Sequence, residues 1–302
     1  MHTTKRLWGL ALIATLVAAC SGTGATAEPS APTQASATPD ACAADQLPTV
    51  APGTLTIGTD NPAFPPYFEA VEEPTDPWEL GDPTTGNGFE SAVAYAIAEE
   101  LGFDRDGVAW VPVPFANSFA PGPKDFDLDI NQISYTAERA ENVDMTDGYY
   151  FVNQAVVARS GTPVAEAASI ADLKPYRFGA QVGTTSFETI ESVIQPDTDT
   201  SVYDTNDAAI EALNVGQIDA IVVDLPTAFF ITAVQMEDGV IVGQIEGPED
   251  ADAEYFSIVL PKDSPLTDCV NEAIAALQSD GTLDAIEQEW LSDQADAPVL
   301  AP

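Results

Sequence analysis

From residue 55 onward the chain alternates between two hydrophobic periods. Leu55-Thr56-Ile57-Gly58-Thr59 places apolar side chains at every second position, the pattern of a half-buried strand. Phe89, Val93, Ala96, Ile97 and Leu101 then fall on one helical face, and 108–113 returns to a strand pattern, so 55–113 predicts a β-α-β unit. Farther along, 177–182 reads as a strand that runs through Gly183-Thr184-Thr185-Ser186 into a helix over 187–194. The β-branched run 218–223 ends in Asp224, with a helix from Thr227; 254–260 reads as a strand, and Leu266, Val270, Ala273, Ile274 and Leu277 form a last apolar helical face. Such alternation predicts an α/β fold of open, mostly parallel sheets, with ligands bound beyond the C-terminal ends of the strands. The about 245 residues after position 53 suffice for one large or two ordinary domains, and no repeat at solenoid periods interrupts them.

The first fifty residues carry a different signal. Lys5 and Arg6 precede an apolar stretch over 7–18 that is too short to span a bilayer and reads as a signal peptide, residues 1–19. Leu16-Val17-Ala18-Ala19-Cys20 resembles the lipobox of bacterial lipoproteins, which implies cleavage before Cys20 and lipidation (palmitate included) of its thiol. The chain would then be lipid-anchored at the extracytoplasmic face of a cell membrane; an ordinary secretory signal with Cys20 as an incidental thiol is the alternative. Residues 20–52, rich in Ala, Thr, Ser and Pro, read as a disordered tether. With Cys20 assigned to lipid, Cys42 and Cys269 remain in an oxidising compartment, where a disulfide between them is expected; two separately buried thiols is the other reading.

Charge narrows the function. Forty-nine acidic residues against 9 basic ones, a formal net charge of −40, argue against nucleic acid as a partner and describe a solvated, self-repelling surface. The lone histidine, His2, lies in the signal peptide, so the mature chain lacks an imidazole for a Ser-His-Asp relay or a metal site. No catalytic residue, metal or cofactor is therefore assigned, although carboxylate-only chemistry stays open. Three features could carry chemistry, each with a plainer alternative. Gly183-Thr184-Thr185-Ser186 is an anion cradle or a simple helix cap; Asp224, before Pro226, is a ligand group or a cap; Arg139 is a clamp or an exposed helix residue.

Taken in order, these segments resemble a family. Gly53-Thr54-Leu55-Thr56-Ile57-Gly58-Thr59-Asp60 with Pro65-Pro66-Tyr67, then Gly88-Phe89-Glu90-Ser91-Ala92-Val93-Ala94, and Asp127-Leu128-Asp129-Ile130-Asn131-Gln132-Ile133-Ser134-Tyr135-Thr136-Ala137-Glu138-Arg139 are similar to the solute-binding proteins of polar amino acid ABC importers. Residues 143–150, 181–186, 219–226 and 255–262 complete a resemblance that spans 53–292. It implies a two-lobed, type II periplasmic-binding-protein-like fold, with lobe 1 at 53–157 and 253–302, lobe 2 at 158–252, and hinge strands at 153–158 and 255–260. It implies a monomer that captures an amino acid or related zwitterion between the lobes and delivers it to ABC permease transmembrane subunits. Arg139 would clamp the ligand α-carboxylate with help from Ser134 and Thr185, Asp224 would accept the ammonium, Asp60 would orient the hinge side or the ammonium, and Phe64, with Tyr67, would supply an aromatic wall. Gln132, Gln181 and Thr184 complete the expected ligand set.

Departures from the family's pattern concern the cleft. The prolines of Phe119-Ala120-Pro121-Gly122-Pro123-Lys124 allow at most a turn where a helix is usual. Asn131 and Gln132 stand where small residues are common, and an insertion at 71–85 brings Trp78 toward the cleft. The same fold hosts dehydratase-like enzymes with a cleft carboxylate as acid or base. Against that alternative, Asp224 facing an ammonium would stay ionised, and nothing in the sequence supplies the apolar surroundings a general acid needs. A sensor lobe that binds a partner protein is a third reading.

Overall fold

The structure, a computed structural model, describes residues 41–247, 253–291 and 297–302. The expected signal peptide, Cys20 and the tether up to residue 40 lie outside the described residues. In chain order the strands are β1 (Leu55–Thr59), β2 (Val108–Pro112), β3 (Leu128–Asp129), β4 (Asp144–Met145), β5 (Tyr150–Phe151), β6 (Gln154–Arg159), β7 (Phe178–Gln181), β8 (Ser201–Tyr203), β9 (Ala220–Asp224), β10 (Gly239–Ile245), β11 (Tyr255–Phe256) and β12 (Val259–Leu260). They form one sheet in the order β2-β1-β3-β12-β4, a second in the order β10-β6-β9-β7-β8, and the ribbon β11-β5.

Each sheet contains one strand that runs against the others. β1 lies parallel to β2 and β3, while β12 is antiparallel to both β3 and β4. In the second sheet β7 is parallel to β8 and β9, and β6 is antiparallel to β9 and β10. The mostly parallel expectation therefore holds for the β-α-β units and fails at these two strands. Both β6 and β12 enter directly from the ribbon, without the crossover helix that parallel pairing requires.

The predicted strand at 254–260 is also divided. Ser257 is fully buried between β11 and β12, its Oγ donating to the Thr146 carbonyl at 2.8 Å, while the Ile258 N–H donates to Thr146 Oγ1 at 2.9 Å. A buried hydroxyl thus diverts the backbone from one ladder to the next.

The alternation of side chains explains the cores. Leu55 and Ile57 of β1 pack with Val93, Ile97 and Leu101 of the helix Phe89–Glu100 and with Val270 and Ile274 of the helix Thr267–Ser279. The apolar runs of β6 and β9 are buried on both faces: Ala155, Val157, Ile221 and Val223 point to one cluster, and Val156, Ala158, Ala220 and Val222 to another.

Both ends of the described chain depart from the expected boundaries. Residues 41–52, assigned to the tether, pack against the first sheet: Leu47 joins its core, and the Val50 N–H donates to Asp127 Oδ1 at 2.7 Å. Residues 297–302, assigned with lobe 1, pack against the second sheet, with Leu300 in its core and its N–H on the Gln244 carbonyl at 3.0 Å. Terminal segments this short carry too few apolar positions for periodicity to place them.

Cys42 and Cys269 form a disulfide that ties residues 41–52 to the helix Thr267–Ser279, closing a loop across a sequence separation of 227. Its reduction is expected to lower the unfolding free energy by about 2–5 kcal/mol. Urea unfolding with and without reductant measures this, and an unchanged midpoint would mean that the bond adds no net stability.

Candidate functional site

The C-terminal ends of parallel strands in both sheets face one cavity of about 140 Å³. Asp60 follows β1, Asn131 and Gln132 follow β3, Gln181 and Thr184–Thr185 come from the end of β7 and its loop, and Asp224 ends β9. This is where open α/β sheets expose main-chain termini and leave space for a ligand.

Arg139 is the cation of the site. Thr136 caps the helix Ala137–Asn142, accepting from the Arg139 N–H at 3.1 Å, and the Arg139 side chain turns inward to only 7 % exposure. The plain helix-surface reading therefore fails. Its Nη1 donates to the Ser134 carbonyl and its Nη2 to the Gly183 carbonyl of the opposite sheet at 2.8 Å. The guanidinium also lies 4.4 Å from the Phe119 ring centroid and 5.6 Å from that of Phe115. Of five guanidinium N–H groups, two are engaged by the backbone.

The loop after β7 separates two roles. Gly183, at φ +74°, makes the left-handed turn into the helix Thr185–Thr189. Thr184 caps that helix, its Oγ1 accepting from the Phe187 N–H at 3.2 Å and donating to the Gln181 carbonyl at 2.8 Å. The capping alternative is thus correct for Thr184. The neighbouring Thr185 hydroxyl lines the cavity and lies 3.4 Å from Ser134 Oγ.

Asp224 stands at the cap position of the helix Leu225–Phe230 but makes no side-chain cap bond. Its Oδ1 instead accepts from Gln154 Nε2 at 2.7 Å; the same nitrogen lies 3.2 Å from both oxygens of Glu254, and Ser186 Oγ donates to Gln154 Oε1 at 2.7 Å. Burial, with the Glu254 charge adding, pushes Asp224 up to about 8. The surroundings that raise a carboxyl's pKa, which nothing in the sequence supplied, are present in the structure, because the enclosing protein strips water and adds a second carboxylate.

The other expected residues divide similarly. Asp60 and Phe64 line the cavity; Asp60 accepts from the Asn61 N–H at 2.8 Å, burial raises its pKa, and Phe64 meets Phe230 of the opposite sheet at 6.5 Å between centroids. Gln181 lines the cavity with its Oε1 accepting from the Asn206 N–H at 3.0 Å. Gln132 adopts φ +49° and sends its side-chain amide to the fully buried Glu90. Ser134 stands behind the cavity wall, its hydroxyl donating to Glu254 at 2.6 Å. Tyr67 and Trp78 are buried in the first core and do not line the cavity, although the Tyr67 hydroxyl reaches Thr227 Oγ1 at 3.2 Å.

Phe115, Phe119, Gln154, Asp207 and Glu254 were not among the expected site residues. The i, i+4 spacing of Phe115 and Phe119, and a glutamine opening the apolar run of β6, are the signals that could have found three of them. Among the described residues no cluster of His, Cys, Asp or Glu is placed to hold a metal ion, and no helix is long and apolar enough to cross a membrane.

Two α/β sheets facing a shared polar cavity define a ligand-binding cleft. Residues 69–293 match the bacterial extracellular solute-binding proteins, family 3, and the chain belongs to that family. It is 28 % identical over 242 residues to the L-cystine-binding protein TcyJ of Escherichia coli K12, covering 79 % of this chain and 82 % of that protein. An ancestral arginine-binding protein bound to arginine superposes with a TM-score of 0.63 at 28 % identity, covering 79 % of this chain and 98 % of that one. An ancestral amino acid-binding protein described as a precursor of cyclohexadienyl dehydratase gives 0.61 at 25 % identity, covering 79 % and 95 %. The fold is the two-lobed, type II periplasmic-binding-protein-like α/β fold.

Three carboxyls shielded from water, Glu90 and Asp129 buried and Asp224 half-buried, predict an inverted pH profile. Burial raises Glu90 to about 7, and Asp129 and Asp224 to about 8. Each folded pKa lies above its unfolded value of about 4, so the associated stability is fully present below about pH 4 and is lost as pH rises through 7–8. Asp82 and Asp219, whose pKa values are lowered, act oppositely but only as pH falls below the ordinary carboxylate range. The melting temperature should be higher at pH 5 than at pH 8, and Asp129→Asn should shrink the difference. A melting temperature that climbs from pH 5 to pH 8 would contradict this.

Proposed function

We propose that this protein captures an amino acid or related small zwitterion between two lobes, without transforming it, and hands it to the transmembrane subunits of an ABC permease. The observation that carries the reading is the presence, around one cavity, of Arg139 from the helix Ala137–Asn142 that follows β3 and Asp224 from the end of β9 in the second sheet. Arg139 would hold the α-carboxylate through its remaining N–H groups, with the Thr185 hydroxyl beside it, and Asp224 would take the ammonium. Gln132, Gln181, Asp60 and Phe64 would shape the rest of the wall; Ser134 and Thr184 would act through Arg139 and the helix cap. Lobe 1 would extend over 53–157 and 253–291, and lobe 2 over 158–247, joined through the segments flanking the ribbon. The protein would work as a monomer, exported by its signal peptide and anchored by lipid on Cys20 at the extracytoplasmic face of the cell membrane. Mass spectrometry of membrane-extracted protein tests the anchor: a chain beginning at an unmodified residue other than Cys20 would refute it.

A second reading draws on Asp224 itself. A carboxyl that keeps its proton near neutral pH is suited to general acid work, and the dehydratase precursor has a similar fold. Incubation with a cyclohexadienyl substrate should give no product; turnover abolished by Asp224→Asn would establish the enzyme reading instead.

Binding itself should depend on pH with a defined sign. An ammonium pairs with Asp224 only after the carboxyl loses its proton, so affinity should rise from pH 6 to about 8, by up to about tenfold per unit. Isothermal titration of amino acids at pH 6, 7 and 8 measures this. Arg139→Ala should weaken binding of the best ligand by at least about 2 kcal/mol; unchanged affinity would remove the carboxylate clamp.

A further inference from the structure

The charges around the cavity are unequal. Asp60, Asp207 and Asp224 line it against a single cation, Arg139. An α-amino acid bound as described would match its carboxylate to Arg139 and its ammonium to Asp224, leaving two carboxylates facing whatever the ligand carries as a side chain. Neither meets a protein cation. Asp60 Oδ1 accepts from the Asn61 N–H at 2.8 Å, and Asp207 Oδ1, at the exposed rim, accepts from Gln235 Nε2 at 3.1 Å. Among the described residues the ion pairs are Arg159–Asp238, Arg177–Asp219 and Lys262–Asp144, and none of these residues lines the cavity. A half-buried carboxylate without a countercharge is unfavourable, and a ligand cation relieves it.

A second observation is independent of the acidic residues. Asn131 lines the same cavity at 5 % exposure, and its Nδ2 has no hydrogen-bond partner among the described residues. Buried donors of this kind call for an acceptor, which a ligand carboxylate supplies. Phe64 adds an aromatic face, which favours a cation over an anion.

We propose that the cleft selects a ligand of net positive charge, an amino acid with a basic side chain, whose cation is read by Asp60 within the cavity and Asp207 at its rim while Asn131 and Arg139 hold the α-carboxylate. The inference rests on the amino-acid-binding reading above. It makes a dicarboxylic amino acid the poorest ligand, since a second carboxylate would face only like charge.

Isothermal titration of the purified protein at pH 8.5 with L-arginine, L-lysine, L-ornithine, L-glutamine, L-cystine and L-glutamate decides the matter. A basic amino acid should bind at least about tenfold more tightly than glutamine or cystine and at least about a hundredfold more tightly than glutamate. Asp60→Asn should erode that preference by about tenfold, and Asp207→Asn by less, with circular dichroism reporting that each variant is folded. Glutamine, cystine or glutamate binding as tightly as the basic amino acids would overturn the charge inference while leaving amino-acid capture in place. No binding by any member of the panel would overturn both. The wild-type panel decides even where a variant does not fold.

Discussion

A buried guanidinium sits where the two sheets meet, and its requirements shape the cleft. Arg139 cannot shed its proton, so enclosing it requires hydrogen-bond acceptors and polarisable neighbours. The backbone carbonyls of Ser134 and Gly183 supply the first, one from each sheet, and the rings of Phe115 and Phe119 the second. None of these four contacts is an anion. Asp224 and Glu254 contribute only longer-range attraction and are held by Gln154 instead. The charge is thus solvated by the protein but not neutralised, a state that favours an incoming carboxylate. The bond to Gly183 also makes the site a property of the closed arrangement: moving the second sheet away removes an acceptor from a buried cation.

The acidic side is organised by a different constraint. Glu90 is fully buried and accepts from the Gln132 N–H, from the Gln132 side chain and from the Tyr149 hydroxyl. Those bonds hold Gln132 in left-handed backbone, an uncommon conformation for a residue other than glycine, asparagine or aspartate. Where β3 turns into the cavity wall, a carboxyl therefore does the work that a glycine would do through conformational freedom. Asp129, at the end of β3, is fully buried and packs beside Gly58, where an added Cβ would clash with Asp129 Oδ2. Gly58 is consequently required by close approach rather than by its own torsion angles.

Local periodicity made the strands and longer helices legible, because each depends on side chains within a few positions of one another. β1, the helix Phe89–Glu100, β9 and the helix Thr267–Ser279 all fall where the apolar pattern puts them. The cavity residues Asp60, Arg139, Thr185 and Asp224 were legible through the family resemblance, and the fold shows why they meet: each follows a strand end or lies at the start of a helix, and strand ends converge on one place. What the pattern could not show is pairing between distant segments. Nothing near Gln154 announces Glu254, about one hundred residues away, and nothing near Phe119 announces that its ring will lie under Arg139. The reversed strands β6 and β12 were missed because an apolar run has no direction until its partners are known.

Gln154 and Glu254 also bear on how binding reaches the hinge. Gln154 opens β6, the strand by which the chain enters the second sheet, and Glu254 immediately precedes β11, by which it returns. Gln154 Nε2 joins Asp224 to Glu254, and Glu254 accepts from Ser134, whose carbonyl holds Arg139. A ligand that pairs with Asp224 and Arg139 therefore acts on both ends of one continuous hydrogen-bond chain running through the two connecting segments. Burial beside Glu254 favours the protonated Asp224 carboxyl, and an ammonium that displaces that proton offsets the charge Asp224 then carries toward Glu254. The hydrogen bonds through Gln154 then couple the charge a ligand brings to Asp224 to the two segments that connect the sheets.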